Sequence, residues 1–540
     1  MTTITPYRSP VQDGRDGFPQ LLHAEWTKLR TVRGWVIGMI VAILVTAGLG
    51  VFLVEATGNV SCGAQSPTGS GPVHHGLAAC GQPPLVLGPG GVPVTDGFYF
   101  VHQPLAGNGS ITVRVTSLTG LPPNGPMQPG LMPWSKAGII IKQNLNPGSA
   151  YAAMMVTGGN GVRMQWNYTG DAPGLPGSMS AARPRWLRLT RDGDRITGYD
   201  SANGAHWTQV GTVHLPGLPS AVQAGLFATS PQFVEMSTSF GSGNISHSNT
   251  EATAVFDRVS RFGAWPASTW TGGIIGPAAM GIGTSPGTAT SGEYHEAGGR
   301  FTVTGTGDIA PAIPGPGNTA VGHQPIGFFL VGVVAGLIAV IVVATMFVTA
   351  EYRRGLIRTT LAVSPGRGRV LAAKAIVIGA AAFVTGLAAA AGTVIVATEM
   401  THSNGYQMFP VPWPTELRLI VGTAALVAVA AVFTLAVGTM VRRSAAAVVT
   451  AIVTIVVPFF LAFTDAVPTV IGAWLLRITP AAAFAVQQST PQYYQVQAAY
   501  RPGLGGGFYP LAPSAGFAVL CGWAALALVA AAYLLRRRDA

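Results

Sequence analysis

Six apolar runs, each near 20 residues long, constrain this chain more than anything else in it. About 20 apolar residues in helical form match roughly 30 Å of hydrocarbon. Helices and closed barrels are the two structures that satisfy their own backbone in that medium. The runs lie at about 34–54, 326–350, 375–397, 417–441, 445–463 and 515–535. Charged residues are 9% of the chain, where a soluble domain carries about 25%. The helical part is therefore expected to be a multi-span membrane protein with six transmembrane helices.

The basic residues orient it. Arg30 and Arg33 precede the first run, Arg442 and Arg443 close the fourth, and Arg536, Arg537 and Arg538 close the sixth. Residues 351–374 form a basic loop between the second and third, with Arg353, Arg354, Arg358, Arg367, Arg369 and Lys374 against the single acid Glu351. Basic residues at span ends mark the cytoplasmic side. Six spans then place both termini in the cytoplasm of a plasma-membrane protein. The same bias, with anionic lipid as partner, accounts for the net charge of +11 without nucleic acid.

Residues 1–33 are expected to be a cytoplasmic N-terminus. Phe18, Leu22, Trp26 and Leu29 recur at helical spacing, which predicts an amphipathic interfacial helix. Trp26 and Lys28 suit the headgroup level. Glu25 sits beside the apolar stripe, where it either pairs with Lys28 or a partner or snorkels. The run at 34–54 is too long for a signal peptide and no A-x-A site follows, so it is expected to stay as an anchor.

Residues 55–325 change character. Short strand-like pieces such as ITVRVTSL, AGIIIKQ, VRMQWNY, RWLRLTR and VQAGLFA alternate with turn signals, Asp192-Gly193 and Asn203-Gly204 among them. This spacing predicts a large all-β sandwich, an extracellular domain inserted between helices 1 and 2. Cys62 and Cys80 share its polar leading segment and are expected to form a disulfide outside the cell. Cys521 reads as a small buried apolar residue. From Gly263 a glycine-rich loop is expected, with one more strand at FTVTGTGD. Residues 465–513 are expected outside as well, with VIGAWLLRI and AAAFAV too short to cross and lying on the surface or dipping in as re-entrant helices.

Several chemistries are excluded. A glycosidase needs two carboxylates facing across a cleft, and no E-x-D-x-E run supplies them. Trp134, Trp166, Trp186 and Trp207 have faces that stack on glycan rings, and core packing accounts for the same residues. His295, Glu293 and Glu296 read as a solvated loop, and Asp200 with Asn203 fits a turn as well as calcium, so no metal is assigned. The spans hold almost no ionisable residues, against an ion-coupled carrier. No Walker loop is present, so ATP and magnesium, if used, sit on a partner chain.

Two resemblances follow. FYFVHQPLAGNGSITVRVTSL, WSKAGIIIK, PRWLRLTRDGDRITGYDSANGAHWTQVG, VQAGLFATSP and AVFDRVS, in that order, resemble the concanavalin A-like (lectin/glucanase) sandwich over about 94–262. HAEWTKLRTVRGW and EYRRGLIRTTLAVSPGRGRVLAAK, with six spans and a broken outer segment before the last, resemble ABC-2 type transporter permeases. The second resemblance implies the permease subunit of an ABC exporter moving an amphipathic substrate, a separate ABC ATPase subunit, and a second permease chain. It implies coupling through Glu351, Arg353, Arg354, Gly355, Arg358, Ser364 and Pro365, with the helix of Glu25, Trp26 and Lys28 as a second contact. On that reading the chain is not itself an enzyme. The alternative is a membrane-anchored protein that binds or senses an extracellular glycan. The Ala, Gly and Pro content is that of a GC-rich bacterial source.

Overall fold

The computed structural model describes residues 17–58, 85–121, 131–177, 183–239, 242–248, 250–276, 290–314, 325–355, 366–403, 408–464, 466–496 and 508–537. Cys62, Cys80, Arg358, Ser364 and Pro365 lie outside them.

Helix α1 (Phe18–Thr31) ends at Val32, whose extended backbone turns the chain into α2 (Arg33–Gly58). After the β domain, one turn of α3 (Ile326–Phe329) and a 3-10 turn lead into α4 (Val333–Arg353). Then come α5 (Arg367–Ser403) and α6 (Trp413–Val441). The fifth apolar run is α7 (Ser444–Ala451), a π-helical stretch over Ile452–Val456, and α8 (Val457–Phe463). Pro458 explains that stretch: it donates no N–H, and its ring crowds the carbonyl one turn back, so the helix widens there. Helix α9 (Thr469–Ile478) meets a fully buried 3-10 segment, Pro480–Gln487, at a bend of 97°. Helix α10 (Pro513–Arg537) closes the set. Six of these helical stretches are long and apolar enough to cross a membrane.

The first two spans approach through small side chains. Gly332 and Gly336, one turn apart, face Ala42 and Thr46 of α2, and a Cβ on Gly336 would strike the Thr46 hydroxyl. Packing of this kind drives association where lipid removes the hydrophobic gain.

The β domain runs β1 (Val94–Asp96), β2 (Phe98–Ala106), β3 (Gly109–Leu121), β4 (Lys136–Lys142), β5 (Tyr151–Thr157), β6 (Val162–Trp166), β7 (Gly170–Pro173), β8 (Arg185–Asp192), β9 (Arg195–Ser201), β10 (Thr208–His214) and β11 (Ala221–Thr229). It continues through β12 (Phe233–Ser239), β13 (Ser242–Ser248), β14 (Glu251–Gly263), β15 (Thr271–Ile275), β16 (Gly292–Ala297), β17 (Arg300–Gly305) and β18 (Ile309–Pro311). The strand run thus ends at Pro311. In the stretch after Gly263, β15 and β16 join the sheets beside the expected strand now seen as β17.

Two seven-stranded antiparallel sheets pack face to face: sheet I, β10-β9-β8-β3-β14-β17-β16, and sheet II, β15-β2-β11-β4-β5-β6-β7. Alternation sorts the side chains. Val101, Leu105, Ile139, Ile141 and Met154 of sheet II meet Val113, Leu187, Leu189, Phe256 and Val303 of sheet I in one core. Sheet II is also buried on its other face, where Phe98, Phe100, Ile140, Tyr151 and Phe227 pack under Val94 and Ile309. Those two lie on β1 and β18, which pair with each other.

Strand β4 fastens both linkers. Lys142 Nζ donates to Asp96 Oδ2 at 2.7 Å, and Lys136 Nζ donates to Asp308 Oδ1 at 2.7 Å and to the Ile309 carbonyl at 2.6 Å. Both lysines are fully buried. Burial pushes the Lys142 ammonium down, and Asp96 opposes that. The hydroxyl of Tyr168 also donates to Asp96, which together with burial holds its phenol well above the ordinary range.

The sandwich also rests on the segment before α10. Tyr494 donates to Asp171, Arg163 donates to the same carboxylate and to the Tyr494 hydroxyl, and Gln495 Nε2 donates to the Tyr168 carbonyl at 3.1 Å.

Candidate functional site

At the opposite end of the helical bundle, four charges from three helices meet. Lys374, two turns into α5, donates to Glu25 Oε2 of α1 at 2.8 Å and to Glu351 Oε1 of α4 at 2.7 Å. Lys28, one turn after Glu25, donates to Glu25 Oε1 at 2.8 Å and to Glu351 Oε1 at 3.1 Å. Two carboxylates and two ammoniums thus alternate around a ring. Lys374 also sits 5.1 Å from the Phe347 ring centre.

The ring is dry on one side. Glu25 is fully buried, Lys374 is 2% exposed, and Lys28 is 39% exposed. Buried charges persist only when paired and hydrogen-bonded. Burial alone would lower the Lys28 ammonium, but its bond to Glu25 and the fields of both carboxylates outweigh that and hold it above its ordinary value. Glu351 Oε2 has no hydrogen-bond partner among the described residues.

The structure adds a second, inward face to α1, on which Glu25 finds its partners. The buried positions are Glu25 and Leu29, while Trp26 is 46% exposed. Glu351 lies in the last turn of α4 and Lys374 inside α5, so both ends of the expected 351–374 segment are helical. Arg353 and Arg354 project outward beyond the ring, and Gly355 takes the left-handed conformation, φ +68°, that often ends a helix.

The other basic span ends gather here. Arg442 lies 5.1 Å from the Tyr352 ring centre, Thr349 and Ser444 share a hydroxyl bond of 2.8 Å, and Arg367 donates to the Leu535 carbonyl. The ring was only partly visible in the sequence. Its signals were two misplaced acids: Glu25 beside an apolar stripe, and Glu351 alone among arginines. Nothing local named Lys374 as the residue that joins them.

Of the four tryptophans singled out as glycan-stacking candidates, Trp186 and Trp207 lie on the same side of sheet I. Trp134 is 6% exposed, against Tyr494 and Lys136. Trp166 packs on the sandwich core beside Gly170. The guanidinium groups of Arg114 and Arg258 each lie 5.7 Å from the Trp186 ring centre, and Arg188 covers Trp207 at 3.9 Å. Among the described residues, no group of three or more metal-ligating side chains converges.

Six spanning helices whose basic ends converge on one buried charge ring, with a β sandwich at the other end, define a multi-pass membrane protein. The chain belongs to a known family: the model for the ABC-2 family transporter protein matches residues 215–540. The match begins just after β10 and takes in the second half of the sandwich with five of the spans. Members of this family are the membrane component of ABC transporters, which implies an ABC ATPase partner and typically a dimeric assembly.

No curated protein sequence matches the chain. Among solved structures, a functionally unknown protein from Saccharomyces cerevisiae is 16% identical over 32% of this chain and 76% of its own, with a TM-score of 0.17. Scytalido-glutamic peptidase with a peptide-based transition state analog is 8% identical over 39% of this chain and 98% of its own, with a TM-score of 0.21. The GH43 protein BlXynB from Bacillus licheniformis is 17% identical over 22% of this chain and 24% of its own, with a TM-score of 0.16. Likeness at this level assigns no activity.

Proposed function

We propose that this chain is the permease subunit of an ABC exporter, with its charge ring at the cytoplasmic surface where a separate ATPase subunit docks. The ring carries the reading. It ties the N-terminal helix to both flanks of the basic loop, so a push on either reaches spans 2 and 3 together. The exposed Arg353 and Arg354 are the groups a partner's carboxylates or carbonyls would engage. Arg358, Ser364 and Pro365 extend the same coupling segment.

The orientation follows the positive-inside bias, with both termini cytoplasmic and the sandwich outside the cell. The order of its strands and its two facing sheets fit the concanavalin A-like fold. A partner ATPase supplies ATP and magnesium, and two permease chains frame the path of an amphipathic substrate.

The test is to purify the tagged chain from its native membranes in mild detergent and identify what accompanies it. A Walker-type ATPase at stoichiometric level, lost when Arg353→Glu and Arg354→Glu are introduced together, is the expected result. An extract that keeps other ABC complexes intact but yields no ATPase with this chain would sink the proposal.

A further inference from the structure

The outward face of sheet I carries a second, unassigned cluster of charge. Alternation along β8, β3, β14 and β17 places Leu187, Val113, Phe256 and Phe301 in the core. The neighbours Trp186 and Arg188, Arg114, Asp257, and Arg300 therefore share the outer face. The register confirms their adjacency: Arg114 stands opposite Trp186 on one side and Asp257 on the other, and Thr112 stands opposite Arg188.

Arg258 joins them by a bulge. The β14–β3 register slips between Asp257 and Ser260, and Arg258 takes φ +50°, a region side chains with a Cβ rarely adopt. The irregularity turns its guanidinium over Trp186. Arg114 spends its fork on Asp257. Arg188 lies on Trp207 and donates Nε to Thr112 Oγ1 at 3.0 Å. Four arginines thus face one local carboxylate. The other acids of this face lie farther off at about 3.3 Å per residue: Asp192 is four residues from Arg188 on β8 and Glu293 stands opposite Thr304, four residues from Arg300, each about 13 Å away, and Glu251 is six residues from Asp257 on β14, about 20 Å away.

This arrangement is poor for neutral sugar. A sugar ring needs a bare aromatic face, and guanidinium groups already lie over Trp186 and Trp207. A stacked guanidinium keeps its in-plane N–H edge free, which is the geometry that grips carboxylate or phosphate. The face also points away from the lipid anchors. Sheet II, on the other side of the core, is the one roofed by β1 and β18, the strands that lead to spans 1 and 2.

We infer that the outer face of sheet I, centred on Arg188, Arg258 and Arg300, binds an acidic polysaccharide through its spaced anionic groups. The inference does not depend on transport, and its test uses no ATPase. Full-length protein in neutral phosphatidylcholine nanodiscs is titrated with polygalacturonate and, separately, with uncharged dextran. Binding of polygalacturonate but not dextran is expected, weakening steeply as salt is raised. Arg188→Gln with Arg258→Gln should lower that affinity at least tenfold, with an unchanged melting temperature showing the sandwich intact. Trp207→Ala, which frees Arg188 from its support, should cost a smaller factor. Equal binding of dextran, or full affinity in the double variant, would overturn the inference. So would a preference for phosphatidylserine vesicles or an oligonucleotide over polygalacturonate, since either hands the face to another class of partner.

Discussion

Lys374 is the residue on which the cytoplasmic end depends most. It is 2% exposed and shared by two carboxylates from different helices. Removing one partner of a buried ion pair leaves the others uncompensated and costs about 3–5 kcal/mol. Lys374→Met should therefore lower the unfolding stability of the purified chain by about that amount. Lys28→Met should cost clearly less, because Lys28 is 39% exposed and water replaces part of what it loses. Exchanging the partners, Glu351→Lys with Lys374→Glu, should not recover the loss, because it sets a carboxylate against Glu25 and an ammonium against Lys28. Thermal unfolding of the three variants in one detergent checks the order, and equal losses for Lys374→Met and Lys28→Met would mean the ring is wet throughout. The pH dependence has a definite sign. A lysine held above its ordinary value contributes fully below that value, 10.5, and its contribution fades as pH rises through the raised one. Stability owed to Lys28 should be level from neutral pH to about 10 and fall only beyond that. Asp257 behaves oppositely. Its bond to Arg114 holds it below 3.8, so its contribution persists above that pH and disappears on acidification below it.

At the scale of the element, what the sequence disclosed depended on whether the signal was local. The six spans were legible because a long apolar run is sufficient evidence for one, and the observed helices extend those runs mostly by a turn or less. Helix α5 is the exception, since Arg367, Arg369 and Lys374 extend it inward where no apolar pattern marks it. The strands of the sandwich were legible by alternation, but β15 and β16 hid in glycine-rich sequence that has little to alternate. The inward face of α1 was silent for a deeper reason. Apolarity marks Trp26 for the interface, and the buried position beside it is Glu25, stabilised by a lysine 349 residues away. No local pattern carries a partner at that distance. The contact of spans 1 and 2 was equally silent, because Gly332 and Gly336 register only as two more small residues until Thr46 is seen beside them. It yields a test. Gly336→Leu has no space beside α2, and such overpacking typically costs roughly 1–3 kcal/mol. A lower melting temperature is expected for it, while Gly368→Leu, at a position with open space around the glycine, should change little. Similar losses at both positions would argue that the two spans are not in close contact.

Over the whole molecule, the sandwich is bolted to two different parts of the helical bundle. Lys142 and Lys136 hold it to the linkers of spans 1 and 2 through Asp96 and Asp308. Tyr494 and Gln495 hold it to the segment before span 6. A rigid β domain fixed at two points resists any movement that separates them, and transporters change access largely by rocking one rigid group of helices against another. The two fastenings are unlike. Both lysines of the first are fully buried, whereas in the second Gln495 is buried but Tyr494 is 57% exposed, so the Tyr494 contact is the one that water can loosen. The mount at spans 1 and 2 should therefore stay closed through a transport cycle while the contact at Tyr494 opens. Arg163→Cys with Tyr494→Cys, joined by a short bismaleimide, would hold that contact shut. In the complex with its ATPase, the joined protein should still bind ATP but turn it over several-fold more slowly than the same variant left unjoined. Turnover unaffected by the link would mean the sandwich rides with both parts as one body, and that the spans rearrange without parting at their outer ends.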